Sequence, residues 1–214
     1  PLTINWEQQN IPAILNVWFG GTQSGNAIAD VVFGDVNPSG KLPVTFPLSV
    51  GQIPVYYNHK NTGRPLEEGK WFEKFRSNYL DIPNEPLYPF GFGLSYTQFT
   101  YGDLKLDKTQ LKGNQKLIAS ISVTNAGKYD GAEIVQLYIR DLVGSITRPV
   151  KELKGFQKVL LKAGETRTVT FTISPDDLKF YNYNLKYDWE PGDFTIMIGG
   201  NSRDIKSQNV TWVK

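Results

Sequence analysis

The sequence contains no cysteine, which excludes disulfide bonds and thiolate zinc sites. It has one histidine, His59, so a zinc site built from several imidazoles is excluded as well. The absence of cysteine fits the cytoplasm and a Gram-negative periplasm equally and does not decide between them. No run of about 18 apolar residues occurs, so no membrane-spanning helix is encoded and no membrane partner is expected.

Strong charge of either sign is also missing. The 23 basic and 21 acidic residues leave a formal net charge of +2. The most basic stretch, Lys151–Lys158, is interrupted by Glu152 and by apolar residues. Proteins that bind nucleic acid usually concentrate basic side chains on one face, so a nucleic-acid partner is excluded. The glycine-rich run Gly20–Gly25 lacks the residues of a phosphate-binding loop and is interpreted as a strand-to-helix turn.

The start of the chain is not typical of a native N-terminus. Residue 1 is proline, the single methionine is Met197, and Leu2–Trp6 already alternates like a strand. We expect a fragment or a processed product whose upstream part is missing.

Residues 1–50 mix strand and helix signals. We predict strands at Leu2–Trp6 and Ile14–Trp18, then a helix over Asn26–Phe33 that ends at Gly34. Four apolar residues at helical spacing would form the buried stripe of that helix: Ala27, Ile28, Val31 and Val32. Strand, turn and helix make half of an α/β unit.

Residues 51–98 have weak periodicity and many turn-forming residues. A segment of this length without regular structure is uncommon inside a compact domain and is often functional. We predict a long loop that covers another domain and is held by its aromatic side chains, including Tyr56, Tyr57, Trp71, Phe72, Tyr79 and Tyr88.

Residues 99–214 alternate apolar and polar side chains with period two. The apolar members define five strands, with a last strand at Val210–Val213: Leu117 to Val123, Val135 to Ile139, Phe156 to Leu161, Val169 to Ile173 and Phe194 to Ile198. Short strands separated by turn signals predict an antiparallel, immunoglobulin-like β-sandwich. Without cysteines, the fibronectin type III variant fits best. Ser174–Leu178 is predicted to form one turn of helix.

The loop segment Tyr56–Arg64 is rich in long hydrogen-bonding side chains. Such groups suit a hydroxyl-rich ligand, because each sugar hydroxyl both donates and accepts. The candidate substrate-binding residues are Tyr57, Asn58, His59 and Arg64. An ordinary polar loop explains the same residues, and both interpretations stay open.

No residue is assigned a catalytic or metal-binding role. Paired carboxylates are the usual apparatus of glycoside hydrolysis. The acids considered ahead of the predicted sandwich are Asp30, Asp35, Glu67, Glu68, Glu73, Asp81 and Glu85. No two of them show the pattern of a proton donor beside a nucleophile, so each is interpreted as structural.

Aromatic residues make up 13% of the chain. Most would fill a sheet core, but aromatic rings also stack on sugars. One cluster supports a carbohydrate-binding module as an alternative function: Tyr181, Tyr183, Tyr187 and Trp189. A module that only docks on another domain is a third possibility.

Two runs of sequence carry a family resemblance. Gly25–Pro47, with Asn37-Pro-Ser-Gly-Lys-Leu-Pro-Val-Thr-Phe-Pro47, and Pro86-Leu-Tyr-Pro-Phe-Gly-Phe-Gly-Leu-Ser-Tyr96 resemble the signature of glycoside hydrolase family 3, the β-glucosidase and β-xylosidase group. The resemblance implies that residues 1–50 end an α/β sandwich domain, that 51–98 form a linker, and that 99–214 form a fibronectin type III-like β-sandwich.

The resemblance also implies a function for the intact parent. That parent would be a retaining, exo-acting, periplasmic or secreted enzyme that releases β-linked glucose or xylose without a metal or organic cofactor. In the family a TIM-barrel domain carries the nucleophile, and the α/β sandwich carries the acid/base glutamate ahead of this chain. Neither motif matches any position here, so the chain by itself is expected to be inactive. Its expected partners are the missing barrel domain and a β-glucoside or oligosaccharide.

Overall fold

The structure is a computed structural model that describes residues 1–67 and 69–214. Within them lie three α-helices, α1 (Asn5–Asn10), α2 (Ser24–Phe33) and α3 (Pro175–Leu178), and a 3₁₀ turn at Val50–Gln52. Eleven strands follow in the same described part: β1 (Phe99–Tyr101), β2 (Lys105–Leu106), β3 (Gln110–Lys112), β4 (Leu117–Asn125), β5 (Gly131–Asp141), β6 (Glu152–Leu161), β7 (Thr166–Ile173), β8 (Phe180–Tyr181), β9 (Tyr187–Asp188), β10 (Gly192–Gly199) and β11 (Ile205–Val213).

The strands form a two-layer sandwich with one small extra hairpin. In the first sheet β4 pairs with β1 and β2 on one edge and with β7 on the other. The second sheet has the order β3-β11-β10-β5-β6, and β8 pairs with β9. Every pair is antiparallel except β3 with β11. The period-two alternation predicted this architecture, and the mixed fold class with a fibronectin type III-like sandwich is confirmed.

The sandwich core consists of the alternating apolar residues of both sheets. Leu117, Ile121, Phe194, Ile196 and Trp212 are almost completely buried. Burial of such side chains contributes about 1.5–3 kcal/mol each. The predicted helical turn is present as α3, where the Ser174 side chain and the Asp177 carboxylate form a capping box.

The two strands predicted before the first long helix are wrong. Residues from Asn5 onward form α1, whose Gln8 and Ile11 N–H groups bond to carbonyls four residues earlier. Ile14–Trp18 has no strand partner among the described residues, and Trp18 adopts φ 45°, which a strand does not allow. A strand needs a neighbour for its backbone groups, and sequence alternation alone does not supply one.

The helix predicted over residues 26–33 is present as α2, and Gly34 ends it with φ 87°. Its predicted buried stripe is wrong. Ile28 and Val31 are half-buried, whereas Ala27 and Val32 are exposed. The described residues place little apolar surface against this helix. Its apolar side chains therefore share a face without being buried. At ten residues, α2 is the longest described helix, and none could cross a membrane.

Candidate functional site

The two motif runs lie side by side and pair with each other. The Leu42 N–H donates to the Phe92 carbonyl at 2.8 Å, and the Gly91 N–H donates to the Leu42 carbonyl at 2.8 Å. Phe46 and Tyr88 exchange two further backbone hydrogen bonds. The pairing closes residues 47–87 into a long loop whose two ends are fixed together.

Both glycines of the Phe90-Gly-Phe-Gly93 run sit where a side chain would collide. Gly91 has φ 80°, and a Cβ there would overlap the amide of Gln136 on β5. A Cβ on Gly93 would overlap the backbone carbonyl of Gly40. Glycine therefore allows the second run to lie directly between the first run and the sandwich.

The outer face of β5 is covered by this loop. Gln136 and Tyr138 point away from the core, yet both are buried. The Gln136 amide donates to the carbonyls of Gly91 at 3.2 Å and Gly200 at 2.6 Å, and it accepts a hydrogen bond from the Tyr138 hydroxyl at 2.5 Å. Burial raises the pKa of the Tyr138 hydroxyl, with a further contribution from Tyr57. The loop and the sandwich thus share a polar interface.

A buried ion pair joins the first motif run to the sandwich. Lys41 Nζ lies 3.1 Å from Glu133 Oε2 on β5 and also donates to the Gly93 carbonyl at 3.0 Å. The Tyr101 hydroxyl donates to the other oxygen of Glu133 at 2.9 Å. Burial and the Glu133 carboxylate together raise the pKa of Tyr101 far above its usual value. Each charge is therefore satisfied inside the interface.

One buried amide organises the inside of the loop. Gln52 accepts a hydrogen bond from the Leu48 N–H at 2.7 Å and donates to the carbonyls of Pro83 and Glu85. The Tyr79 hydroxyl donates to the main-chain carbonyl of Gln52 at 3.3 Å. These bonds hold both arms of the loop together, so it is ordered without regular secondary structure.

The predicted aromatic anchors of the loop divide into two groups. Tyr57 stacks on Phe90 with ring centroids 4.3 Å apart and meets Tyr138 edge-on at 5.7 Å. Tyr88 stacks on Phe92 at 5.0 Å. Tyr56, Trp71 and Phe72 are instead exposed.

The four candidate sugar-contact residues lie on one stretch of this loop but differ in environment. Tyr57 is half-buried, and its hydroxyl accepts a hydrogen bond from the Leu153 N–H at 3.3 Å. Asn58, His59 and Arg64 are exposed. The carbonyls of His59 and Arg64 bond to Val150 and Ser77, so the backbone is fixed while these three side chains face solvent.

Two of the acids ahead of the sandwich, Glu67 and Glu73, share one cation, Lys70. Glu73 pairs with Arg76 at 3.0 Å and with Lys70 at 3.3 Å, and the Arg76 hydrogen bond is the main reason that its pKa is lowered. Asp35 lines an open depression of about 620 Å³ together with Asp130 of the sandwich. Glu68, which the sequence analysis interprets as structural, lies outside the described residues.

The depression beside Asp35 has a structural explanation. The Asp130 carboxylate accepts the Ala163 N–H at 2.9 Å, and the Asn37 amide donates to the Asp130 carbonyl at 2.8 Å. Asn37 also accepts bonds from Ser95 and from the Tyr96 N–H. These contacts tie the turn after α2 to the sandwich. Across residues 1–67 and 69–214, no group of three or more histidine and acidic side chains is arranged to hold a metal ion.

The aromatic cluster near the end of the chain is only partly exposed. Trp189 is buried and meets Trp212 edge-on at 6.2 Å, so it belongs to the core and not to a binding face as predicted. Tyr181, Tyr183 and Tyr187 are exposed. Side-chain type alone does not separate these roles, because the last strand that covers Trp189 comes later in the chain.

Sequence reasoning missed the buried polar residues of the interface, above all Glu133, Gln136 and Gln52. Lys41, Gly91 and Gly93 belong to the quoted motif runs, but the runs do not reveal their partners. One signal was present in the sequence: residues 134–139 are nearly all large and apolar, which indicates a strand covered on both faces.

Two family descriptions match this chain. The glycosyl hydrolase family 3 C-terminal domain matches residues 1–96, and the fibronectin type III-like domain matches residues 133–202. The chain belongs to glycoside hydrolase family 3. The order of the two matches follows the order of the two parts in the structure.

Relatives from several bacteria agree with this family. The chain is 54% identical to a periplasmic β-glucosidase of Salmonella typhimurium over 96% of its length and 46% identical to a β-xylosidase of Formosa agariphila over 99%. A β-glucosidase structure from Listeria innocua in complex with isofagomine superposes with a TM-score of 0.86 at 44% identity over 92% of the chain. The chain spans only 27%, 28% and 28% of these three proteins.

Proposed function

We propose that this chain is the C-terminal portion of a retaining, exo-acting family 3 enzyme that hydrolyses terminal β-linked glucose or xylose. The observation that carries the proposal is the pairing of the two family motif runs into one interface that fixes residues 51–98 on the sandwich. In this proposal the chain supports the fold and borders the sugar site, while the nucleophile and the acid/base lie in other parts of the protein. The names of the relatives support the substrate class, and the name of the Salmonella typhimurium relative supports a periplasmic location.

The surroundings of the acids ahead of the sandwich support this division of labour. A retaining glycosidase places two carboxyl groups about 5 Å apart. Asp30 and Asp35 are exposed, and Glu73 is bonded to two cations. These surroundings are typical of carboxylates on a solvated surface and not of carboxylates that transfer a proton in catalysis.

Exposed apolar side chains in the first forty residues support docking on a further domain, the barrel that the family resemblance implies. Trp6, Phe19 and Phe33 are all more than half exposed. Exposed apolar patches of this kind mark interaction surfaces. We propose that these side chains contact the remainder of the enzyme.

An activity assay tests the proposal. The full-length protein is expected to hydrolyse nitrophenyl β-glucoside or β-xyloside, whereas the 214-residue chain is expected to show no turnover above the uncatalysed rate. Circular dichroism of the chain serves as the control for folding. Turnover by the chain comparable to that of the full-length enzyme would refute the claim that its own carboxylates are not catalytic.

The sugar-contact role is proposed for Tyr57, Asn58, His59 and Arg64. Tyr57 anchors the loop on Phe90 and Tyr138, and its position presents the three exposed side chains that follow. Arg64 is the strongest donor of the set, and its guanidinium has no hydrogen bond or ion pair in the part of the chain that the structure describes. A free cation on a fixed backbone is suited to bind sugar hydroxyls.

Arg64→Ala in the full-length enzyme is expected to lower kcat/KM by about tenfold or more, mainly by raising KM, because one charge-assisted hydrogen bond contributes about 1.5–3 kcal/mol. Steady-state kinetics on the nitrophenyl glycoside measures this. Arg203→Ala, which removes an exposed arginine of the sandwich, is the matched control. Equal kinetics in the two variants would exclude the contact.

A further inference from the structure

The β8–β9 hairpin presents two tyrosine rings side by side. Tyr181 and Tyr187 are directly opposed in the register of the hairpin, so their side chains share one face. Their ring centroids are 5.1 Å apart and the planes are tilted by 46°. Both rings are exposed, at 65% and 58%, and Tyr183 in the connecting turn is 77% exposed. Three large aromatic side chains therefore face solvent on one short hairpin.

The opposite face of the hairpin is anchored to the sandwich. Phe180 is buried beneath the Arg148 guanidinium, which lies 3.9 Å from its ring centroid. Arg148 is held in turn by Glu152 at 2.7 Å and Asp141 at 3.5 Å. Burial raises the pKa of Asp141, and the Arg148 charge opposes that change.

The turn of the hairpin is equally fixed. The Asn182 side-chain oxygen accepts the N–H groups of Asn184 and Lys186, and Leu185 adopts φ 57°. The Tyr183 N–H donates to the Ser145 hydroxyl at 3.1 Å. Rings on a rigid support lose little freedom when a ligand binds, so this face is preorganised.

Two lysines around the tyrosines are paired, whereas Lys186 in the hairpin has no ion pair within residues 1–67 and 69–214. Lys214 lies 2.9 Å from Asp188, and Lys179 lies 2.6 Å from Asp176. The Lys214 hydrogen bond is the main cause of the lowered pKa of Asp188. A surface with one unpaired lysine and no concentration of charge favours a neutral ligand over a phosphate, a nucleic acid or an acidic peptide.

The composition of the face favours a sugar over a protein partner. The hydroxyls of Tyr181, Tyr183 and Tyr187 have no hydrogen-bond partner within residues 1–67 and 69–214, so each ring offers an apolar face and a free polar tip. Aromatic side chains bury about 150–250 Å² each, so three rings supply less than the ~800 Å² that each partner contributes to a stable protein interface.

We propose that Tyr181, Tyr183 and Tyr187 form a binding platform for the pyranose rings of a neutral glycan chain. The C–H face of a pyranose would stack on the tilted pair Tyr181 and Tyr187, and Tyr183 would extend the contact along the chain. The platform would hold the protein on a polysaccharide. Because its readout is binding, the proposal stands or falls independently of hydrolysis.

The test is affinity electrophoresis of the full-length protein in native gels with and without hydroxyethylcellulose. The polysaccharide is expected to retard the wild-type protein, and Tyr181→Ala/Tyr187→Ala is expected to lower the apparent affinity about tenfold or more, by loss of two stacking contacts. Tyr181→Phe/Tyr187→Phe keeps both rings and is expected to retain most of the retardation. Thermal unfolding of each variant shows whether the fold is intact.

Tyr129→Ala is the matched control, because Tyr129 is a similarly exposed tyrosine elsewhere on the sandwich. It is expected to migrate like the wild type. Absence of retardation in the wild type, or an equal loss in Tyr129→Ala, overturns the proposal. A double variant that changes from dimer to monomer in size-exclusion chromatography without a change in retardation would show a second copy as the occupant and also overturn it.

Discussion

Lys41→Met is expected to lower the free energy of unfolding of this chain by about 3–5 kcal/mol, because it leaves the buried Glu133 carboxylate without its cation. The Tyr101 hydroxyl alone cannot compensate a buried negative charge. Thermal unfolding of the 214-residue chain measures the loss, and a decrease of about 6–20 °C in Tm corresponds to it. We expect the substitution to weaken the contact between the two motif runs and the sandwich.

Two controls define the cause of that loss. Lys70→Met removes a lysine from an exposed ion pair with Glu67 and Glu73 and is expected to leave Tm unchanged. Lys41→Met/Glu133→Leu removes both buried charges and is expected to recover much of the loss, since an apolar pair carries no desolvation penalty. A double variant as unstable as Lys41→Met alone would show that the charge left unpaired is not the cause.

Gly91→Ala is expected to destabilise the chain by about 3–5 kcal/mol, for two separate reasons. A non-glycine residue at φ 80° costs about 1–2 kcal/mol of backbone strain. Its methyl group would also displace the Gln136 amide, and each polar group left unsatisfied in this buried site costs about 1–3 kcal/mol. Chemical denaturation followed by tryptophan fluorescence measures the sum.

Gly164→Ala separates the two contributions. Gly164 has φ 78°, nearly the same backbone conformation, but a Cβ there meets no neighbouring atom. Its substitution is expected to cost only the strain of about 1–2 kcal/mol. Equal destabilisation by the two substitutions would show that contact with Gln136 contributes nothing.

The sandwich was predictable because its information is local. Alternation in Leu117–Val123 or Phe194–Ile198 follows from the two faces of a strand, and the core uses these residues as expected. The capped turn at Ser174 is equally local, since cap and helix lie within four residues. Such patterns can be interpreted without knowing which distant residues they contact.

The first fifty residues show where this reasoning fails. The alternation in Leu2–Trp6 is a true strand signal only if another strand lies beside it, and none of the described residues provides one. The Ile4 carbonyl instead accepts the Gln8 N–H at the start of α1. Residues 27–32 have helical spacing but little apolar surface against them. Periodicity predicts which side chains share a face and does not specify what covers that face.

The candidate sugar site divides in the same way. Side-chain chemistry indicated Tyr57, Asn58, His59 and Arg64, and their contact with a sugar stays a prediction. The anchoring of Tyr57 between Phe90 and Tyr138 depends on residues more than thirty positions away in sequence. Trp189 is buried whereas its tyrosine neighbours are exposed, and the burial of Trp189 depends on Trp212 in the last strand.

The amino-acid sequence alone was sufficient to predict the family, the sandwich and the turns, because each depends on residues that lie close together in the sequence. Tertiary structure alone decided that Lys41, Glu133, Gln136 and Gln52 are buried and paired. Their hydrogen-bond partners come from distant segments, and a polar side chain is stable inside a protein only where such partners arrive together.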